Sequence, residues 1–124
     1  MNPATFSNVM ENRLRERGTS RLSAEGMALT LDMQQQELAR LAGVHRNTLR
    51  KHPESAKVQD TLRELSRLLS AAHEIQPDLD RAVFLIKNEP IPAFNHQTLM
   101  QLVQAGRTND AIAYLESIST GYVG

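Results

Sequence analysis

The chain has 124 residues, no cysteine, no tryptophan and balanced charge, with 14 Lys/Arg against 14 Asp/Glu. That length suits one domain or two small lobes sharing a hydrophobic core. The missing cysteines exclude a disulfide framework and any thiolate metal site, which suits a reducing cytoplasm. No apolar run approaches a membrane span and residues 1–22 lack the apolar stretch of a signal peptide, so a cytoplasmic protein with no membrane attachment is expected.

Asn2 and Pro3 make a helix start, with proline in the first turn where no N–H is needed. Phe6, Val9, Met10 and Leu14 follow at helical spacing, Arg13, Arg15 and Arg17 surround that stripe, and Gly18-Thr19-Ser20 ends it. This arm, residues 1–22, docks on its own core, on a twin subunit or beside DNA. Ser23 then caps a second helix with Leu22 as its staple, and Met27, Ala28 and Leu31 point inward. Asp32 breaks it.

From Gln35 to His52 the chain reads as a helix-turn-helix. Ala39 is small enough to let a second helix cross closely, and Gly43, four residues on, accepts the left-handed backbone that ends the first helix. Val44 plugs the corner, while Leu38 and Leu49 meet in the core. Left exposed on the second helix are His45, Arg46, Asn47, Thr48, Arg50 and Lys51, side chains of the kind that read base edges and hold phosphates. Gln35 and Gln36 at the start of the first helix join them as candidate DNA contacts. An ordinary helical hairpin with a solvated basic face has the same pattern. Pro53 stops the second helix near Lys51 or His52.

From Ser55 to Ile75 runs the longest helix, with Val58, Leu62, Leu65, Leu69, Ala72 and Ile75 as its core stripe and Leu68 widening it. Pro77 opens the next, with Asp78 and Asp80 in its first turn, where the helix dipole favours anions. Leu79, Ala82, Val83, Leu85 and Ile86 give it an almost all-round apolar surface, which suggests burial in a second core or in a subunit interface. Pro90-Ile91-Pro92 is an extended break. Thr98 to Gln101 is a T-x-x-Q capping box opening a short helix that ends at Gly106. Thr108 starts the last helix, with Ile112, Leu115 and Ile118 inward. No strand pattern is present, so the expected fold is all-α.

Charge is split along the chain. Residues 1–57 hold nine Lys/Arg against six acids, and residues 58–124 hold five against eight. A basic lobe joined to an acidic one suggests two different partners. His45, His52, His73 and His96 contain no i, i+4 pair and no carboxylate set to complete a metal site, so no metal or cofactor is expected. There is no phosphate loop after a strand, no serine on a nucleophile elbow and no cysteine nucleophile, so no catalytic residue is assigned and the chain is not read as an enzyme.

The run RAVFLIKNEPIPAFNHQTLMQLVQAGRTNDAIAYLESISTGYVG at residues 81–124 resembles the toxin-binding domain of Xre/MbcA/ParS-type antitoxins. Ala82, Pro90, Phe94, Thr98, Leu102, Val103, Gly106, Arg107, Leu115 and Gly121 match that domain's pattern. Leu85 stands where the family usually has tryptophan, His96 where it has glycine and Leu99 where it has proline. The upstream GVHRNTLRKHPES looks like the helix-turn-helix half of the same family, so the resemblance covers roughly residues 23–124. It implies an N-terminal helix-turn-helix lobe followed by a small helical toxin-binding lobe. The corresponding divisions are the arm 1–22, a DNA-binding domain 23–76, and a toxin-binding and dimerisation domain 77–124.

The resemblance further implies a homodimeric antitoxin of a type II toxin-antitoxin system that represses its own operon. Its partners would be operator DNA and a RES-domain toxin, a class that depletes NAD. The antitoxin tail lies in the toxin's active-site cleft, which places Phe94, Arg107, Gly121, Tyr122, Val123 and Gly124 against the toxin. Two other readings stay open. One is a stand-alone dimeric helix-turn-helix transcription regulator whose second lobe only dimerises or senses a small ligand. The other is an interaction module with a vestigial helix-turn-helix.

Overall fold

Ser23 shows how closely local chemistry sets the elements. In this computed structural model, which describes residues 9–120, its hydroxyl accepts the Gly26 N–H at 2.9 Å and starts helix α1, Ala24–Thr30. The helix start expected at Asn2 and Pro3, Phe6 of its stripe, and the tail Gly121, Tyr122, Val123 and Gly124 lie outside the described residues. The described residues divide into two compact units between Glu64 and Leu65, inside one long helix.

In the first unit a π-helical turn, Met10–Leu14, follows Val9 and buries both Val9 and Leu14. It ends at an extended Arg15, earlier than the expected stop at Gly18-Thr19-Ser20. The chain there folds back on itself: the Ser23 N–H donates to the Leu14 carbonyl at 2.5 Å, Glu16 N–H to Arg21 O at 2.8 Å, and Arg15 pairs with Leu22 in an isolated antiparallel bridge. Leu22, Met27, Ala28 and Leu31 are buried, as their spacing predicts. Asp32, at φ 51°, turns the chain out of α1.

Helix α2, Gln35–Ala42, ends at Gly43 with φ 70° and ψ 32°. Gly43 N–H donates to Arg40 O at 3.1 Å and Val44 N–H to Ala39 O at 3.0 Å, the paired bonds of a Schellman stop. Two residues later comes α3, Arg46–Lys51, which ends just ahead of Pro53. Leu38, Ala39, Ala42 and Leu49 are buried between these helices and the rest of the unit, while Val44 at the corner is half-buried.

Helix α4, Ala56–Ile75, contributes Val58 and Leu62 to the first unit's core. Its polar Gln59 is also buried, which the apolar stripe alone did not signal. Past the boundary, Leu65, Leu68, Leu69 and Ala72 of the same helix are buried in the second unit, and Ile75 is half-buried.

The next helix, α5, is Leu79–Asn88, and its N-cap is Asp78, whose carboxylate accepts the Arg81 N–H at 3.0 Å. Pro77 therefore precedes the cap and does not open the helix; the carboxylate's capping bond to a helical amide sets the start. Leu79, Ala82, Val83 and Ile86 face inward. Phe84, on the far side, is 65% exposed, and Leu85 is half-buried.

Ile91 is extended and buried, and it pairs with Gln97 around a 3₁₀ turn, Pro92–Phe94. The capping box is complete: Gln101 N–H donates to the Thr98 hydroxyl at 3.1 Å, and Thr98 N–H donates to Gln101 Oε1 at 2.8 Å. It opens α6, Leu99–Gln104, which closes at Gly106, φ 77°, with the same paired bonds as α2. Helix α7, Thr108–Ser119, buries Ala111, Ile112 and Leu115. Ile118, expected inward, is 43% exposed, because the twelve-residue α7 runs past the six-residue α6 it packs on. Every regular element among the described residues is helical, so the fold is all-α. None of these helices is long and apolar enough to cross a membrane.

Candidate nucleic-acid interface

In the first unit, the buried trio Leu38, Ala39 and Leu49 fixes which sides of α2 and α3 remain open. Arg46, Asn47, Arg50 and Lys51 of α3 are all exposed, as are Gln35 and Gln36 at the start of α2. No acidic partner holds Arg46, Arg50 or Lys51 among the described residues. Thr48 is half-buried on the shoulder of α3, so it stands less free than the spacing suggested. His45 is exposed but lies outside the helix, as its N-cap: Nδ1 accepts the Asn47 N–H at 3.1 Å.

Between α2 and α3 opens a hollow of about 410 Å³ lined by Gln36, Ala39, Arg40, Val44, His45 and Arg46. Its lining carries two guanidinium groups, one amide and one imidazole beside the buried Ala39 and half-buried Val44. Arg40 was not singled out from the sequence. The signal was present, since Arg40 follows Gln36 by four residues and so shares its helix face. The arrangement offers hydrogen-bond donors and positive charge, with no acid to oppose them on the rim. It suits a polyanion.

The second unit brings together two residues singled out for a protein partner. Phe94, after the break at Pro92, meets Tyr114 of α7 edge to face, with centroids 5.8 Å apart and rings at 75°. The Arg107 guanidinium lies 5.4 Å from the Phe94 ring centre, and its Nε donates to Asp110 Oδ2 at 2.9 Å. Asp110 holds the cation in place while Phe94 receives it. Tyr114 was missed; it follows Asp110 by four residues and therefore rises from the same face of α7. Gly121 to Gly124 cannot be placed against this cluster, since they lie outside the described residues. Among those residues no group of three or more His, Asp or Glu side chains converges as a metal site. Comparison with protein-family models, with curated proteins and with solved structures brought no match.

Proposed function

We propose that this chain is a DNA-binding antitoxin: a helix-turn-helix lobe represses its own operon, and the C-terminal helical lobe binds and blocks a RES-type, NAD-depleting toxin. The observation that carries the DNA-binding half is the pairing of α2 and α3 across the left-handed Gly43. It buries Leu38, Ala39 and Leu49 and leaves Arg46, Asn47, Arg50 and Lys51 open to solvent. A duplex read this way would take α3 in its major groove, where Asn pairs bidentately with adenine and Arg with guanine. The antitoxin half rests on the resemblance at residues 81–124. The contact between Phe94 and Arg107 supports it, since that contact gathers two of the matching residues into one cationic, aromatic surface.

The charge split is consistent with the two tasks, a basic lobe for DNA and an acidic lobe for a protein. Dimerisation completes the proposal, with the exposed Phe84 on α5 as the apolar group to be covered. The tail Gly121-Tyr122-Val123-Gly124 serves as the plug in the toxin's cleft, with Tyr122 as its anchor.

The experiment has two arms. In the first, the purified chain is titrated onto a duplex spanning the region upstream of its own gene. In the second, it is mixed with a RES-domain toxin, the partner the proposal requires from an adjacent gene, and NAD consumption is followed. Retention of the duplex together with suppressed NAD loss supports the proposal. DNA binding with no effect on the toxin would leave a stand-alone regulator. Removing residues after Thr120 should preserve DNA binding and weaken the block, so that NAD consumption returns; a truncated chain that silences the toxin fully would exclude the tail as the plug.

A further inference from the structure

The cap at His45 assigns the two ring nitrogens different roles. Nδ1 accepts the Asn47 N–H at 3.1 Å, so it has no proton of its own, and the ring's single N–H is Nε2. His45 therefore presents a fixed donor and no free acceptor. The Asn47 amide is consumed by the same bond, so the donor available here is the imidazole and not the helix backbone.

That ring lines the hollow between α2 and α3, together with Gln36 and Arg40 from one helix and Arg46 from the other. Gln36 and Arg40 lie one turn apart on α2 and can address the same group. The hollow thus collects two cations, an imidazole N–H and an amide, with Ala39 and Val44 beneath them. All the charge on this rim is positive. Such a rim fits an anionic oxygen acceptor: among base edges only guanine's shows acceptors alone in the major groove, and it carries no charge to answer the two guanidinium groups.

We infer that the hollow holds one phosphodiester group of bound DNA, with His45 Nε2–H as a neutral, tautomer-locked donor to it and Arg40 as its counter-charge. This rests on the DNA-binding proposal above and adds a division of labour. Asn47 and Arg50 address the groove, Arg46 stands at the border between groove and hollow, and His45 with Arg40 sets the register of the protein on the backbone. A neutral donor raises affinity without displacing a counterion. A cation does both. The two residues should therefore leave different marks on salt dependence.

The test uses the full chain and two duplexes of equal length, one from upstream of its gene and one scrambled, titrated over a range of salt. His45→Ser keeps an N-cap acceptor for Asn47 and removes the ring donor. It should melt like the parent and bind both duplexes roughly tenfold more weakly, the loss expected of one hydrogen bond to a charged group. Its slope of log K against log salt should be unchanged. Arg40→Gln should lose affinity and flatten the slope by about 0.9. His45→Asp also caps well but turns an anion toward the phosphate, so it should bind more weakly than His45→Ser. Parental affinity of His45→Ser on both duplexes, a loss confined to the upstream duplex, or equal affinity of the Ser and Asp variants would each overturn the assignment while DNA binding stands. Should the parent chain hold neither duplex, the DNA-binding proposal itself falls, and this inference with it.

Discussion

The Gln59 side-chain amide pairs with both backbone polar groups of Leu22: its Oε1 accepts the Leu22 N–H, and its Nε2 donates to the Leu22 carbonyl, each at 3.0 Å. Nε2 also donates to the Pro53 carbonyl at 2.8 Å. One buried side chain on α4 thereby ties down the entry to α1 and the exit from α3, the two ends of the segment that carries the candidate DNA surface.

Gln59→Leu nearly preserves volume but leaves the Leu22 N–H, the Leu22 carbonyl and the Pro53 carbonyl without their partner. Each buried group left so costs about 1–3 kcal/mol, and partial access of water lowers the sum. We expect a loss of about 3 kcal/mol in urea denaturation. Gln59→Glu should do no better, because a carboxylate oxygen would then face two carbonyls. A loss below 0.5 kcal/mol, the ordinary range for surface substitutions, would show that the three bonds hold nothing together.

Two glycines of the first unit should respond to alanine as differently as their surroundings differ. Gly43 has left-handed backbone and open space around it, with no atom within 4 Å of an added Cβ. Gly43→Ala should cost only the backbone strain, about 1 kcal/mol. Gly26 sits within α1, where an added Cβ would land on the Arg13 carbonyl. Gly26→Ala must push the π-helical turn away from α1, and about 3 kcal/mol is expected, the upper end for overpacking. Urea midpoints of the two variants give the order directly, and the reverse order would contradict the close approach of Arg13.

These contrasts mark what was legible in the residues. Caps and stops could be read because each is decided within five or six residues: Ser23, Gly43, Thr98 with Gln101, and Gly106 all act where their chemistry predicts. The inward faces of α2, α3 and α4 could be read from spacing alone. Gln59 could not, since its partners lie 37 and 6 residues away and nothing local distinguishes a buried amide from a solvated one. Ile118 failed for a related reason: periodicity tells which side of a helix is apolar, not where the helix it packs on ends. Of the candidate site, the exposed basic side of α3 was foreseeable. The N-cap role of His45 was not, because a histidine just after a turn reads equally well as the first residue of the helix.

His96 offers a test of strain at a loop. Asn95 and His96 both have left-handed backbone, at φ 57° and 65°. Asparagine tolerates this; histidine does so less well. His96 stands where the antitoxin pattern has glycine, and its side chain is exposed, so little packing is lost on replacement. His96→Gly should raise stability by about 0.5–1 kcal/mol, the relieved strain less the added freedom of the unfolded chain. A lowered melting temperature would mean that the imidazole makes a favourable interaction outweighing its backbone cost.

The basic side of α3 gives a quantitative prediction about DNA. Arg46→Ala combined with Arg50→Ala removes two exposed cations that hold no acidic partner among the described residues. If both neutralise phosphates, or release counterions on entering the groove, the slope of log K against log salt should fall by roughly 1.8. Discrimination between the upstream and scrambled duplexes should fall as well, by about 1–3 kcal/mol for each bidentate arginine–guanine pairing that the alanines abolish. Filter binding at four or more salt concentrations measures both. A flattened slope with discrimination intact would assign the two arginines to the backbone and leave base reading to Asn47.

The last prediction concerns Phe84. It lies 65% exposed on α5, on the side away from Leu79, Ala82, Val83 and Ile86, which are packed inside the second unit. A phenylalanine left in water forgoes about 1.5–3 kcal/mol that burial would supply, and a second copy of the chain is the partner the proposed dimer provides. Since the inward face of α5 is complete without it, Phe84→Glu should leave helicity unchanged and lower melting only by the stabilisation that association supplied, while placing two carboxylates across a symmetric interface. Light scattering should then report a monomer where the parent chain is a dimer. Duplex binding should weaken too, because helix-turn-helix readers grip two half-sites about one helical turn apart and a monomer can hold only one. Tyr114 with Phe94 gives the control: Tyr114→Phe keeps the ring pairing and should change neither mass nor DNA affinity. A parent chain that is already monomeric at micromolar concentration, or a Phe84→Glu variant that remains dimeric, would move the interface off α5.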